Sequence, residues 1–229
     1  MPTVDPRFSP QALTFLRALT RHNNREWFKA RKEQYDTLLR APMLTIIDRL
    51  SADFRSFAPE LVADPKASMY RIYRDTRFSP DKSPLKTHVA AVFPCRGLPK
   101  HQGAGLYFHV ALDGAWVGGG LYAPDTPQLL AVREHIAANT RRLRGIIESS
   151  AFKREVGRLE GERLQRVPLG FPKDHQAAEY LRFRQFLAGR EFPATFATRP
   201  QFYKGMLKVF RQVAPLIRFL NEPLRKAST

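Results

Sequence analysis

The sequence predicts an α+β protein: about four antiparallel strands within residues 68–122, covered by helices on both sides of that block. Three observations carry this. Apolar residues recur at helical spacing through about residues 10–56 and 127–221. Between them the pattern changes to short β-branched and aromatic runs bounded by turn formers. The strands are not interleaved with helices, as parallel crossovers would require, so the sheet is antiparallel rather than doubly wound.

Each element has a local cause. Ser9-Pro10 is a cap and N1 pair, followed by Leu13, Leu16 and Leu19, and predicts a helix over 10–21. Asn23 or Asn24 caps a second helix carrying Trp27, Phe28, Arg31, Tyr35, Leu38 and Leu39. Pro42 opens a third with Leu44, Ile47, Leu50 and Phe54 on one face. "SMYRIYRD", "HVAAVFP", "GLYFHVAL" and "AWVGGGLY" are the strands, and Asp113-Gly114 has the composition of a type I′ hairpin turn. Thr126-Pro127 caps the next helix; helical runs follow near 140–165 and 175–188. The last helix places Tyr203, Met206, Leu207, Phe210, Val213, Ile217 and Leu220 on one stripe. Lys204, Lys208, Arg211 and Arg218 fall opposite, and a kink is expected ahead of Pro215. No linker, repeat or low-complexity stretch divides residues 1–229, so one domain is expected; strand order and oligomeric state are not specified.

Composition narrows the function. A 43% hydrophobic content supports a buried core. No apolar run reaches membrane-spanning length and no signal-peptide layout is visible, so a cytoplasmic protein is expected. The single cysteine, Cys95, can form no internal disulfide. The net charge of +17 favours anionic partners, nucleic acid or phosphorylated metabolites among them.

The segment Arg71–His88, "RIYRDTRFSPDKSPLKTH", is the densest chemistry in the chain. As a regular strand it aligns Arg71, Asp75 and Arg77 on one face, with Arg74 on the other. Ser83-Pro84 predicts a short helical turn with Lys86 and Thr87 in it and Lys82 and Lys86 bracketing its positive end, a cradle for phosphate or carboxylate. Ser-x-x-Lys occurs twice, Ser79 to Lys82 and Ser83 to Lys86, without the partner motifs of serine acyltransferases. Gly118, Gly119 and Gly120 admit a close approach of backbone or ligand but match no nucleotide fingerprint. His175 and Glu179, four apart behind Asp174, are the candidate metal pair; no third ligand is identifiable among His88, His101, His109 and His135.

"NNREWF", "RIYRDTRFSPDKSPLKTH", "GLYFHV", "GGGLYAP" and "GFPKDH", in this order, resemble a bacterial and fungal family known as domain of unknown function 2461. The resemblance covers about residues 8–221 and implies a compact domain; it brings no catalytic residue, cofactor or partner with it. Leu85 stands where similar sequences often have an aromatic ring.

The first functional expectation is therefore a pocket for an anionic or phosphorylated small molecule, built from Arg71, Arg74, Arg77, Lys82, Ser83, Lys86 and Thr87 with Gly118–Gly120 nearby. Asp75 or Asp81 would be the general base of any enzyme. The alternatives are nucleic-acid binding through the basic surface, and a protein-interaction module whose basic loop is structural. No cofactor is indicated.

Overall fold

The computed structural model describes residues 5–77, 80–99 and 102–226. Helix α1 (Pro10–Arg21) starts where Ser9-Pro10 predicts, although the Ser9 hydroxyl makes no cap bond. Asn24 caps α2 (Arg25–Lys29) by accepting from the Trp27 N–H at 2.8 Å. Helix α3 (Lys32–Tyr35) then runs through a π-helical turn, Asp36–Arg40, into α4 (Ala41–Phe57), so the expected second and third helices join across Pro42. Asp64 caps the single turn α5 (Pro65–Ser68) through the Lys66 and Ala67 N–H groups.

The sheet comprises β1 (Val89–Phe93), β2 (Gly105–Val110), β3 (Ala115–Leu121) and, far along the chain, β4 (Phe186–Phe192), all antiparallel in the order β1-β2-β3-β4. Between β3 and β4 lie α6 (Thr126–Ala138), α7 (Thr140–Ile147), α8 (Ser150–Glu155) and the turn α9 (Ala178–Leu181). A 3-10 turn, Ala194–Thr198, leads to α10 (Phe202–Lys226).

Several expectations are corrected. The stretch 68–77 is not a strand of the sheet; it makes only isolated bridges, Met69 to Ala91 and Tyr73 to Leu85. The Arg77 N–H there donates to the Asp75 carboxylate at 3.2 Å, a local bond that competes with a ladder. The fourth strand is instead β4, inside and beyond the region expected to be helical at 175–188. The 140–165 run breaks at Ser149, whose hydroxyl caps α8. α6 is capped by Asp125 in a reciprocal box with Gln128, one residue earlier than Thr126. The 110–115 hairpin is present, but neither Asp113 nor Gly114 has the positive φ of a type I′ turn.

The two faces of the sheet differ. Leu106, Phe108 and Val110 of β2 alternate inward with Val117 and Leu121 of β3 and Phe186 and Ala188 of β4, all buried. Onto them packs the apolar stripe of α10, Phe202, Met206, Phe210 and Val213, with the Phe93 ring stacked on Phe108 at 6.3 Å and edge-on to Phe210 at 5.9 Å. α10 continues as one helix through Pro215 and Pro223. Three of its four outward cations are engaged: Lys204 lies 3.5 Å from Asp5, Arg211 covers the Phe57 ring and Arg218 pairs with Glu60 at 2.8 Å. Among the described residues no helix is long and apolar enough to cross a membrane.

Candidate functional site

Residues 70–88 form an arm beside β1. Lys86 N–H donates to the Ile72 carbonyl at 2.8 Å and Arg74 N–H to the Pro84 carbonyl at 3.0 Å, so the arm doubles back on itself around the Tyr73–Leu85 bridge. Asn23, just past α1, clamps it. Its amide donates to the Leu85 carbonyl at 2.9 Å, and its oxygen accepts from the Leu85 N–H at 3.1 Å. Leu85 itself is fully buried.

At the tip of the arm the predicted anion-binding groups bind each other. Arg77 grips Asp75 with two bonds, 3.0 and 2.8 Å, and holds that carboxyl at about 2, well below its usual range. Arg74 pairs with Asp81 at 3.1 Å, and Lys82 donates to the Thr76 carbonyl at 2.9 Å. Ser83 does not start a helix: its N–H and hydroxyl both donate to Asp81 Oδ1, at 2.9 and 2.6 Å. These bonds push the Asp81 carboxyl downward too. Pro84 to Lys86 makes no helical turn, only the Leu85 bridge, so no helix dipole is available there. Arg71 is exposed, and Thr87 half-buried. Phe78, Ser79 and His101 lie outside the described residues.

The chemistry converges instead on the open face of the sheet. A concavity of about 840 Å³ is lined by Tyr70, Lys86, His88, Tyr107, His109 and Trp116, with Gly103, Gly105, Gly119, Gly120, Tyr122 and Leu187 completing it. Among the described residues none of those lining it belongs to a helix, whereas the other face is packed by α10. Alternation places these side chains: Tyr107 and His109 face away from Leu106 and Phe108, and Trp116 stands opposite His109 across the β2–β3 ladder.

Glycines make the floor. Gly118 and Gly189 face each other on β3 and β4. A Cβ at Gly189 would lie 2.3 Å from the Trp116 indole, and one at Gly118 2.7 Å from it. The indole therefore lies down over bare backbone. Gly105 and Gly120, paired one row further, leave backbone uncovered at the other end. Of the predicted glycines, Gly119 and Gly120 line the concavity, and Gly118 supports the indole.

The rings form a continuous set: Tyr107 lies 5.9 Å from Trp116, 5.7 Å from His109 and 6.4 Å from Tyr70, and His88 lies 5.7 Å from His109. The Lys86 ammonium sits 4.9 Å from the Tyr70 ring centre. Burial pushes the Tyr107 hydroxyl up to about 12 and the Tyr70 hydroxyl upward. It lowers His88 to about 4, helped by His109 and Lys86, and lowers His109 as well. Both rings are thus neutral near pH 7, and among the described residues no protein group hydrogen-bonds to either.

That has a measurable cost in acid. The unfolded chain takes up a proton on His88 near pH 6.5, whereas the folded chain does so only near 4. The stability this contributes is full above pH 6.5 and is lost as pH falls through that window. After allowance for solvent access to a half-buried ring, the loss is on the order of 1–2 kcal/mol. Urea unfolding at neutral pH and near pH 4.5 should show it, and His88→Gln should lessen the difference.

His175 and Glu179 do not converge: His175 accepts from the Ala177 N–H at 3.0 Å, and Glu179 lies 3.9 Å from Arg144. Among the described residues there is no group of three His, Cys, Asp or Glu positioned to hold a metal.

A family model described as a conserved hypothetical protein (DUF2461) matches residues 11–219. The chain belongs to the DUF2461 family. The match spans the arm, the open-face rings and most of α10, so arm and sheet face are parts of the DUF2461 domain and not additions to it. No curated protein and no solved structure matches the chain.

Proposed function

We propose that the protein binds, in the concavity on the open face of its sheet, a small planar ligand carrying an acidic group. One observation carries the reading: four aromatic rings, two neutral imidazoles and one ammonium converge over a glycine floor. Pockets that are mostly apolar, with a few convergent polar groups, are where small ligands bind, and about 840 Å³ is ample for one. Tyr107 and Trp116 supply flat apolar surface, Lys86 the counter-charge, and His88 and His109 hydrogen-bonding nitrogens.

This relocates the anion site anticipated from the sequence. Of the basic segment, Lys86 and His88 are among the residues lining the concavity, while Arg74, Arg77, Lys82 and Ser83 are tied within the arm. Asp75 and Asp81, held as low-pKa carboxylates by their own partners, take no part in the proposal. The tip of the arm serves as a latch, which is the structural role of the loop considered above. A cytoplasmic setting goes with this reading, in keeping with a chain that holds one cysteine.

The test is fluorescence titration of a Trp27→Phe variant, which leaves Trp116 as the sole indole, with nucleoside monophosphates, aromatic carboxylates and uncharged counterparts of each. Acid-bearing compounds should quench it and bind more tightly than the uncharged ones. Lys86→Met should weaken the acidic compounds about tenfold, roughly one exposed charge contact, and leave the neutral ones unchanged. Equal affinity for charged and uncharged probes, or no response to any, would end the proposal.

A further inference from the structure

We infer that the natural ligand of this face is a single-stranded nucleic acid, its bases stacked on Tyr107, Trp116 and Tyr122 and its backbone met by Lys86. The inference rests on the reading above that the concavity is a binding site, and names what fills it.

Recognition of unpaired bases needs exposed flat rings in series, because every base has a π-face, and cations beside them for the phosphates. A four-stranded antiparallel sheet packed on one side and ringed with aromatics on the other is one solution to that requirement. This sheet has that form. Its inner face is filled by α10, and its outer face presents Tyr107 and Trp116 side by side on adjacent strands, 5.9 Å apart. Because the Trp116 indole lies over Gly118 and Gly189, its second face points away from the sheet, toward whatever occupies the concavity.

Two further observations extend the site from a single planar, acid-bearing unit to a chain of such units. Tyr122, at the end of the platform beside Gly120, is 75% exposed, a large ring left in water at the rim, where it can continue a row of stacked bases outward. The chain also carries a net charge of +17, whereas among the described residues Lys86 is the one Lys or Arg lining the concavity. A net charge of that sign attracts a phosphate backbone longer than one nucleotide. Neutral His88 and His109 add stacking and hydrogen-bonding surface without adding charge. A duplex, whose bases are already stacked on each other, cannot use rings at the bottom of a concavity.

The experiment compares, on the Trp27→Phe protein, uridine and thymidine monophosphates with short oligomers of each and with a duplex of similar length. Single-stranded oligomers should bind at least tenfold more tightly than monomers and the duplex, and their affinity should fall as salt rises. The ribose and deoxyribose arms show which polymer is preferred. Labelled oligomers should lose about 5- to 150-fold in affinity in Tyr107→Ala, the range for one stacking ring. Tyr122→Ala, at a largely exposed rim position where truncation should cost little stability, should also weaken oligomers, and weaken monomers less. Oligomers no tighter than monomers would overturn the inference and leave the small-ligand reading standing. Oligomer binding indifferent to both tyrosines, or a duplex bound as well, would overturn it as mere charge attraction. No binding of monomer or oligomer would remove both.

Discussion

Gly120→Ala should destabilise the protein by about 3 kcal/mol or more, a large part of the stability of an ordinary domain. Gly120 has φ +146°, which side-chain-bearing residues rarely adopt, and a Cβ there would lie 2.0 Å from the Phe186 carbonyl oxygen and 2.9 Å from Leu187 Cα. Both obstacles are backbone of the adjoining strand, so no side chain can swing aside, and β4 must separate locally from β3. Urea unfolding should show the midpoint falling steeply, with loss of the concavity where Gly120 and Leu187 meet. Gly145→Ala in α7 is the control: nothing lies within 4 Å of its Cβ position, so the gain in helix propensity should be neutral to stabilising by up to about 1 kcal/mol. Equal behaviour of the two variants would refute the close approach of β3 and β4.

The second large effect is expected at Asn23. Asn23→Ala removes both bonds to Leu85 and leaves a peptide N–H and C=O without partners around a fully buried side chain. About 2–4 kcal/mol should be lost, since each buried orphan costs about 1–3. Asn23→Asp should rescue little: it keeps the acceptor for the Leu85 N–H but sets a carboxylate against the Leu85 carbonyl. Because the arm carries Tyr70, Lys86 and His88 to the concavity, amide exchange at Leu85 and Lys86 should accelerate in Asn23→Ala, and ligand affinity should fall with it. Exchange rates unchanged from wild type would show that the clamp does not hold the arm.

Elements with strong local patterns were legible in the sequence. α1 and α10 have stripes at helical spacing, and β2 and β3 alternate cleanly on either side of a turn, so their existence and pairing followed from nearest neighbours. β4 did not, because Gly189, Arg190 and Glu191 dilute its alternation, and the reason for that glycine is an indole more than seventy residues earlier. The arm misled for a related reason: its Tyr and Ile content reads as a strand, but its shape is set by bonds to Asn23, 62 residues away, and by ion pairs at its own tip. Rows of cations suggested the site, yet most of those cations are consumed locally. The better signal lay in "GLYFHV", where Tyr107 and His109 alternate with Leu106 and Phe108 and so share a face opposite the core. That clue becomes a site only once Trp116 of β3 and Tyr70 and Lys86 of the arm are brought beside it from two other segments.

The position of α10 along the chain has a consequence during synthesis. The β1–β3 meander is complete at Leu121, but the helix that covers its inner face spans Phe202–Lys226, about 80–105 residues later. At about 5–20 residues per second, Phe93, Leu106, Phe108 and Val117 wait roughly 4–20 s for their cover. A nascent chain stalled in that interval would display a bare apolar sheet with an unpaired β3 edge, the form of this protein most in need of a chaperone and most prone to self-association.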